Sequence, residues 1–218
     1  WQHSLNGVWK FIYAPTIAAS IKDFYRIDLP DSNWDTITVP SNWEIQGFGE
    51  PIIRNIQYVF SSNPPYIDVD NPVGTYRRTF TVPRNWQERE VFLHFGSISG
   101  YARIYVNGQQ VGMTKASKTP AEFNVTNYLK EGENLLAVQI YRWHDGSYME
   151  DQDFWRLTGI ERDVFLQAYP KLTIWDFFLK SSLDSTYKNG IFNATVDLRE
   201  FTGNNVKKGT LKLELLDK

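Results

Sequence analysis

Residues 101–111 read YARIYVNGQQV. The first six residues are rich in aromatic and β-branched side chains; Asn107-Gly108 follows them, and a second short segment begins at Gln109. Such residues are typical of strands, because they pack well on a pleated, half-buried surface. Both central positions of a two-residue hairpin turn need a positive φ, which Asn and Gly tolerate. The stretch therefore predicts a tight antiparallel β-hairpin.

Three further runs share this character and are bounded by turn residues: Val91 to Phe95, Leu135 to Tyr141 and Asp163 to Tyr169. A short helical turn is predicted at Val125 to Leu129, and Gly132-Glu133-Asn134 forms a turn before the next strand. No stretch of twelve residues keeps a 3.6-residue apolar period, so long helices are not expected. Many short strands with spaced turns indicate an all-β sandwich or jelly roll.

The segment from Asn42 to Thr75 differs, since it carries four prolines and three glycines. Proline lacks a backbone donor and fixes φ, so we expect no regular strand ladder here. The apolar and aromatic residues between Ile52 and Phe60 argue against disorder. The sequence therefore predicts a long ordered loop that wraps over a surface.

After Tyr169-Pro170 the pattern begins again with three predicted strands: Leu172 to Lys180, Ile191 to Leu198 and Thr210 to Leu216. Three strands leave one sheet face without a partner. We therefore expect the beginning of a second β-sandwich, with four aromatic side chains exposed: Trp175, Phe177, Phe178 and Phe192.

Composition narrows the classes of partner and compartment. Of the 218 residues, 23 are basic and 25 acidic, and this balance predicts neither nucleic acid nor membrane as a partner. There is no cysteine, which excludes disulfides and thiolate metal sites, and no apolar run is long enough to cross a bilayer. We expect a cytoplasmic protein; a periplasmic one is the alternative, because the chain opens at Trp1 and a removed targeting peptide stays open.

Aromatic residues are abundant, with 8 Trp, 12 Tyr and 14 Phe. They suit a β-sheet core, and they also suit a sugar site, where a flat ring lies against the apolar face of a pyranose. For any single aromatic the core interpretation is favoured. Trp43, Trp143 and Trp155 are the candidates for an exposed sugar platform, although packing is the simpler interpretation of each.

The densest acidic cluster is Glu150-Asp151-Gln152-Asp153. On an extended chain Asp151 and Asp153 point to the same side, and retaining glycosidases hold two carboxylates about 5–5.5 Å apart. The alternative is a solvated surface cluster that arginines neutralise (Arg142, Arg156 and Arg162), and composition alone favours it. The three histidines are not at metal-ligand spacing.

The stretch at residues 142–164, RWHDGSYMEDQDFWRLTGIERDV, resembles the signature of family 2 glycoside hydrolases of the bacterial β-galactosidase type. Four shorter motifs occur in the same order and spacing as in that family: SLNGVW at 4–9, VPSNW at 39–43, NPP at 63–65 and NPVG at 71–74. The resemblance implies a jelly-roll, galactose-binding-domain-like β-sandwich over residues 1–170. It also implies the first strands of an immunoglobulin-like sandwich over residues 171–218.

The resemblance also implies site residues. Asp153 matches an aspartate that binds substrate hydroxyls and helps to hold an active-site sodium ion, and Asn55 matches an asparagine that hydrogen-bonds the galactose. The residues around Asn55 depart from the family pattern. Asp145 matches a ligand for a peripheral magnesium ion, but Lys115 stands where the family has a glutamine. An ammonium repels a cation, so we expect that metal site to be absent or altered.

These matches imply a function for the parent polypeptide, which is expected to hydrolyse terminal β-D-galactosides with retention. Its general acid and nucleophile, both glutamates, lie in a downstream (β/α)8 barrel, so the chain alone is expected to be inactive. The expected partners are the β-galactoside, that barrel and further copies in a homo-oligomer. An autonomous carbohydrate-binding module and a purely structural β-sandwich stay open as alternatives.

Overall fold

The computed structural model describes residues 1–54, 58–150, 153–203, 210–214 and 216. Their regular structure is β-strand, apart from four short 3-10 helices: Glu44–Gln46, Arg84–Trp86, Thr126–Tyr128 and Asp145–Met149. None of the described helices has the length and apolarity needed to cross a membrane. The prediction of an all-β chain without long helices is confirmed, and the helical turn predicted at Val125 to Leu129 is the third of these 3-10 helices.

The chain forms two compact units, of which the first comprises Trp1–Gln87 and Val91–Ala168, and the second Glu88–Glu90 and Tyr169–Lys218. In chain order the strands are β1 (Gln2–Ser4), β2 (Gly7–Ala14), β3 (Asp35–Val39), β4 (Ser41–Asn42), β5 (Ile52–Arg54), β6 (Val73–Thr81), β7 (Glu90–Phe95), β8 (Ile98–Ser99), β9 (Tyr101–Val106), β10 (Gln109–Thr114), β11 (Ala121–Asn124), β12 (Glu133–Tyr141), β13 (Phe154–Arg156), β14 (Gly159–Ile160), β15 (Val164–Tyr169), β16 (Leu172–Leu183) and β17 (Gly190–Glu200).

Two sheets make up the body of the first unit. One has six strands in the order β10-β9-β12-β6-β2-β3, and the other has four in the order β1-β15-β7-β11. Side chains from both sheets join one buried cluster, which includes Phe11 and Leu136 of the larger sheet and Leu93 and Leu166 of the smaller. Along β15 buried and half-buried positions alternate, which is the period expected of a strand with one face on a core. The first unit is therefore a β-sandwich.

The hairpin predicted from residues 101–111 is confirmed. β9 and β10 pair in antiparallel fashion, and Val106 lies opposite Gln109 across the turn. Asn107 and Gly108 have φ values of 50° and 81°, as a turn with two left-handed positions requires.

The loop predicted from Asn42 to Thr75 is mostly irregular, but it is not free of strand pairing. Ile52–Arg54 forms β5, which pairs with β13, so the prediction of no ladder is wrong at these three residues. It is also wrong at the two ends of the segment, where Asn42 belongs to β4 and the last three residues to β6. The loop is anchored by Tyr148, whose hydroxyl lies 2.8 Å from the carbonyl oxygen of Ser61 and 2.6 Å from that of Tyr66. Phe60 is buried, which agrees with the prediction of an ordered segment.

Among its described residues, the second unit contains one antiparallel pair, β16 and β17. The predicted third strand is wrong, since residues 210–214 and 216 belong to no strand. Phe177, Phe178 and Phe192 are exposed as predicted. Trp175 is not, because its ring packs against Tyr169 and Phe201, with centroids 5.5 Å and 6.0 Å away. An immunoglobulin-like sandwich in this part of the chain stays a prediction.

Removal of the second unit gives a test of the boundary predicted at residue 170. We expect a chain trimmed after Pro170 to unfold cooperatively and to be more soluble, because the buried core cluster lies within the first unit while exposed phenylalanines lie beyond residue 170. Urea unfolding followed by tryptophan fluorescence is the measurement. A chain ending at Thr173 is the control, since it keeps Lys171, the ion-pair partner of Glu90. Loss of a cooperative transition in both chains would contradict the boundary.

Gly74, in β6, lies where two aromatic rings leave no room for a side chain. A Cβ atom there would lie 2.3 Å from the ring of Trp43, which is completely buried. We expect Gly74→Ala to lower the free energy of unfolding by about 1–3 kcal/mol, as overpacking in a rigid core does. Gly190→Ala is the matched control, because nothing lies within 4 Å of a Cβ there. Equal stability of the two variants in urea would contradict the packing described.

Candidate functional site

The acidic and aromatic block singled out in the sequence forms a connection between β12 and β14. It leaves β12 at Tyr141, turns through the 3-10 helix Asp145–Met149 and continues as β13. Hydrogen bonds at its start fix its course. The N–H of Trp143 donates to Oδ1 of Asn71 over 2.9 Å, and Nδ2 of Asn71 donates to the carbonyl oxygen of Trp143 over 2.7 Å.

His144 begins the 3-10 helix as its N-terminal cap. Its Nδ1 accepts the N–H of Gly146 over 3.1 Å, and its own N–H donates to Oγ of Ser147, also over 3.1 Å. Burial lowers the pKa of His144, which keeps the ring neutral and Nδ1 available as an acceptor. His144 is thus part of the scaffold of the connection.

Arg142 holds the two ends of this connection together. Its Nη2 donates to the carbonyl oxygen of Arg156 over 2.7 Å, and both Nη atoms lie 3.2 Å from the carbonyl oxygen of Glu50. Only 5% of the Arg142 side chain is exposed. One buried guanidinium therefore fixes the segment just before β5 and the last residue of β13.

The charge of Arg142 is balanced by Glu44, whose side chain is fully buried. Oε1 of Glu44 lies 3.6 Å from Nη2 of Arg142, and Oε2 accepts the N–H of Thr158 over 2.9 Å. Burial raises the pKa of Glu44 and lowers that of Arg142, because removal from water disfavours the charged form of each group. The two side chains form a desolvated ion pair. Glu44 also anchors Thr158, the residue immediately before β14.

The pairing of β13 with β5 brings together the two segments that carry the predicted sugar contacts. Phe154 lies opposite Arg54, and Arg156 lies opposite Ile52. Asp153 directly precedes β13, and Arg54 ends β5 immediately before Asn55 in the sequence. Asn55 itself lies outside the described residues.

The acidic cluster is only partly described. Asp153 lies in a bend and its side chain is exposed, which leaves its carboxylate open to a ligand. Asp151 lies outside the described residues, so the predicted common orientation of Asp151 and Asp153 stays a prediction. Of the arginines predicted to neutralise the cluster, Arg142 pairs with Glu44, and Arg156 donates through Nη1 to the main-chain carbonyl of Glu150.

Asp145 is paired with Lys115. The Nζ atom of Lys115 lies 2.8 Å from one carboxylate oxygen of Asp145 and 2.9 Å from the other. The hydrogen bond from Lys115 holds the pKa of Asp145 below its usual value. With an ammonium on both oxygens, this position does not fit a magnesium ion. Over the part of the chain that the structure describes, no three His, Cys, Asp or Glu residues are grouped as metal ligands.

A pocket of about 390 Å³ lies beside β13 in the first unit. Its wall is formed by four parts of the chain: residues 58–60, residues 99–100, residues 117–118 and the connection from 142 to 158. This volume lies within the range of about 300–1,000 Å³ that is usual for small-molecule sites. Ser117 and Lys118 belong to this wall, and no pattern in the sequence indicated either of them.

The three tryptophans proposed as a sugar platform have different environments. Trp43 is completely buried against Phe11 and Tyr13, so the packing interpretation is confirmed for it. Trp143 is half-buried and lies edge-on to Phe60. Trp155 is 50% exposed and lines the pocket, so packing within this chain covers only half of its side chain.

Residues 2–170 match the family model described as "Glycosyl hydrolases family 2, sugar binding domain". The chain belongs to this family. It is 40% identical over 219 residues to a β-galactosidase of Priestia megaterium and 43% identical over 201 residues to one of Vibrio cholerae. These matches cover 98% and 92% of this chain but only 21% and 20% of the relatives, so the chain spans about a fifth of their length.

Solved structures of similar fold include a β-glucuronidase of an uncultured Clostridium species, with a TM-score of 0.69 and 28% identity. That match covers 91% of this chain and 34% of the β-glucuronidase. A β-glucuronidase of Bacteroides uniformis has a TM-score of 0.64 at 25% identity, over 83% of this chain and 20% of that one. The sugar-binding domain described here thus shares its β-sandwich fold with glycosidases that are named after a different sugar, glucuronic acid.

Proposed function

We propose that this sugar-binding domain is the amino-terminal, non-catalytic part of a β-galactosidase that hydrolyses terminal β-D-galactosides with retention. The curated relatives named above are β-galactosidases at 40% identity or more, while the β-glucuronidase fold neighbours are 28% identical or less. The observation that carries the proposal is the β5–β13 pair. It places an exposed carboxylate, Asp153, at the end of a two-stranded segment that a buried ion pair holds rigid.

The proposed role of Asp153 is contact with the sugar. An ionised carboxylate accepts hydrogen bonds from two neighbouring hydroxyls, and its hard oxygen atoms also suit a sodium ion. Asp153 would supply one ligand to such an ion, and the sodium would add fixed positive charge beside the sugar. Asn55 is proposed on the resemblance alone as a second hydrogen-bonding group. Assembly into a homo-oligomer belongs to the same proposal.

The rigidity of the segment matters for this role. A hydroxyl contact helps a reaction only if the carboxylate is held within about half an ångström of the productive position. Asp153 is exposed, so it owes its position to the main chain that flanks it. Arg142 fixes that main chain through its hydrogen bonds to the carbonyl oxygens of Arg156 and Glu50.

Activity of the isolated chain tests the non-catalytic role. We expect the 218-residue chain to show no hydrolysis of 4-nitrophenyl β-D-galactoside, because glycoside hydrolysis needs an acid and a nucleophile that flank the anomeric carbon. The complete polypeptide that carries this chain is expected to hydrolyse the galactoside and to leave 4-nitrophenyl β-D-glucuronide intact.

Either of two results would contradict the proposal. Turnover by the isolated chain that disappears in Asp151→Asn or Asp153→Asn would place catalysis in this domain. Hydrolysis of the glucuronide in preference to the galactoside by the complete polypeptide would assign the other sugar.

A further inference from the structure

Three asparagines in the chain are followed by glycine: Asn6, Asn107 and Asn189. At such a pair the main-chain nitrogen of the glycine can attack the side-chain amide of the asparagine, since glycine has no Cβ to shield its nitrogen. The three pairs share this local chemistry. Any difference in their reactivity therefore arises from the structure around each pair.

Two of the three side chains are held at both ends of the amide. Oδ1 of Asn6 accepts the N–H of Val164 over 2.8 Å, and Oδ1 of Asn107 accepts that of Leu135 over 2.9 Å. The Nδ2 atom of each also donates, over 2.9 Å from Asn6 to a carboxylate and over 2.8 Å from Asn107 to a main-chain carbonyl. Both amides are thus fixed to strands of the sandwich, β15 and β12, that lie far from them in the sequence.

Asn189 is held at one end only. Its Nδ2 donates to Oδ2 of Asp184 over 2.6 Å, and among the described residues nothing donates to its Oδ1. Asn189 and Gly190 are both exposed, and nothing lies within 4 Å of the position that a Cβ of residue 190 would take. The amide of Asn189 is therefore open to attack from the next nitrogen and to the water that the reaction needs.

The nitrogen of Gly190 lies on the outer side of the β16–β17 ladder. The N–H of Asp184 donates to the carbonyl oxygen of Asn189 over 3.0 Å, so these two residues form a hydrogen-bonded pair. In an antiparallel ladder such pairs alternate with pairs whose N–H groups point outward, and the next pair is Leu183 with Gly190. The N–H of Gly190 therefore points away from β16.

We propose that Asn189 is a site of spontaneous deamidation, whereas the fold protects Asn6 and Asn107. The nitrogen of Gly190 gives up its proton to hydroxide and forms a bond to Cγ of Asn189, while the bond from Cγ to Nδ2 breaks. Nδ2 takes up a proton from water and leaves as ammonia. Water then adds to either carbonyl of the resulting five-membered imide, and the ring opens to aspartate or isoaspartate.

The modification changes the turn between β16 and β17. Hydrogen bonds from Thr186 and Asn189 lower the pKa of Asp184 to about 2. A carboxylate at position 189 removes one of these donors and places a second negative charge beside Asp184, so the pKa of Asp184 rises. Isoaspartate also adds one carbon to the main chain immediately before β17, which opposes the pairing of Gly190 with Leu183.

Incubation of the 218-residue chain at pH 8 and 37 °C, followed by proteolysis and mass spectrometry, measures deamidation at the three sites separately. We expect product to form at Asn189 about tenfold faster, or more, than at Asn6 and Asn107, because opening a strand of the sandwich costs more than opening a surface turn. In guanidinium chloride, where the chain is unfolded, the three sites are expected to react at similar rates.

Three substitutions locate the reaction. Asn189→Gln is expected to abolish product at this turn, because glutamine would have to close a larger ring. Gly190→Ala is expected to slow the reaction at Asn189, since a Cβ shields the nitrogen and the space around it is open. Asn193→Gln is the matched control: Asn193 is also exposed but precedes an alanine, so the rate at Asn189 should stay unchanged.

Three results would overturn the inference: product at Asn189 that forms no faster than at Asn107 in the folded chain, a rate at Asn189 that folding reduces as strongly as at Asn107, or an unchanged rate in Gly190→Ala. All three are measured without a galactoside. Failure here and failure of the proposed function are therefore separate outcomes.

Discussion

Arg142→Ala is expected to lower the free energy of unfolding of the 218-residue chain by about 3–5 kcal/mol, the usual cost of removing one partner from a buried ion pair. Glu44 would keep a desolvated charge with no counter-charge beside it, since its side chain is fully buried. The carbonyl oxygens of Glu50 and Arg156 would also lose their donor. Urea unfolding at pH 7, followed by circular dichroism, measures the change.

A second substitution separates charge from packing. Glu44→Gln in the Arg142→Ala background is expected to recover part of the lost stability, because a glutamine leaves no buried charge and its oxygen still accepts the N–H of Thr158. Arg26→Ala is the matched control: Arg26 forms an ion pair with Asp28 at the surface, and its loss should leave stability nearly unchanged. Similar effects of Arg142→Ala and Arg26→Ala would contradict the buried pair.

The loss caused by Arg142→Ala is also expected to depend on pH. Burial raises the pKa of Glu44 in the folded chain above its unfolded value, so the folded state binds the proton more readily. Protonation of Glu44 therefore relieves the cost of its charge as the pH falls through the folded pKa. The difference in unfolding free energy between the variant and the parent chain should shrink from pH 7 to pH 5. A difference that is constant over this range would mean that the loss is one of packing and hydrogen bonds alone.

Asp153→Asn in the complete polypeptide is expected to reduce kcat/KM for a β-galactoside about ten- to a hundredfold. The substitution keeps the shape but removes the charge, and a hydrogen bond to a charged group contributes roughly 1.5–3 kcal/mol. The dependence of the rate on sodium should weaken in parallel. The unfolding temperature should barely change, because Asp153 is exposed and lies outside the core.

Asp151→Asn is the control for this effect, since it removes a carboxylate from the same cluster and is expected to reduce catalysis less. If Asp153→Asn lowers stability while kinetics and sodium response are unchanged, the carboxylate is structural and the proposed contact is wrong.

The sequence indicated most residues of the candidate site as parts of a motif, but it did not predict how they are arranged in space. The block at residues 142–164 indicated the family, and the family model covers residues 2–170. The resemblance indicated Asp153 and Asn55 as site residues, but no pattern in the sequence predicted that their segments pair. The prolines and glycines even argued against a strand at Ile52–Arg54. Because of the prolines around β5, the sequence did not predict this three-residue strand. Local preferences are weak over so short a length, and pairing with β13 determines whether the strand forms.

What the sequence by itself determined is local. The period of two in strands such as β15, the Asn107-Gly108 turn and the absence of a helical period follow from preferences of neighbouring residues, so they can be read without knowledge of the fold. What only the tertiary structure decided depends on contacts between distant positions. Glu44 and Thr158 lie 114 positions apart, yet they share a hydrogen bond. The half-exposed Trp155 and the buried Trp43 have the same side chain, and only the packing around each separates a pocket wall from a core.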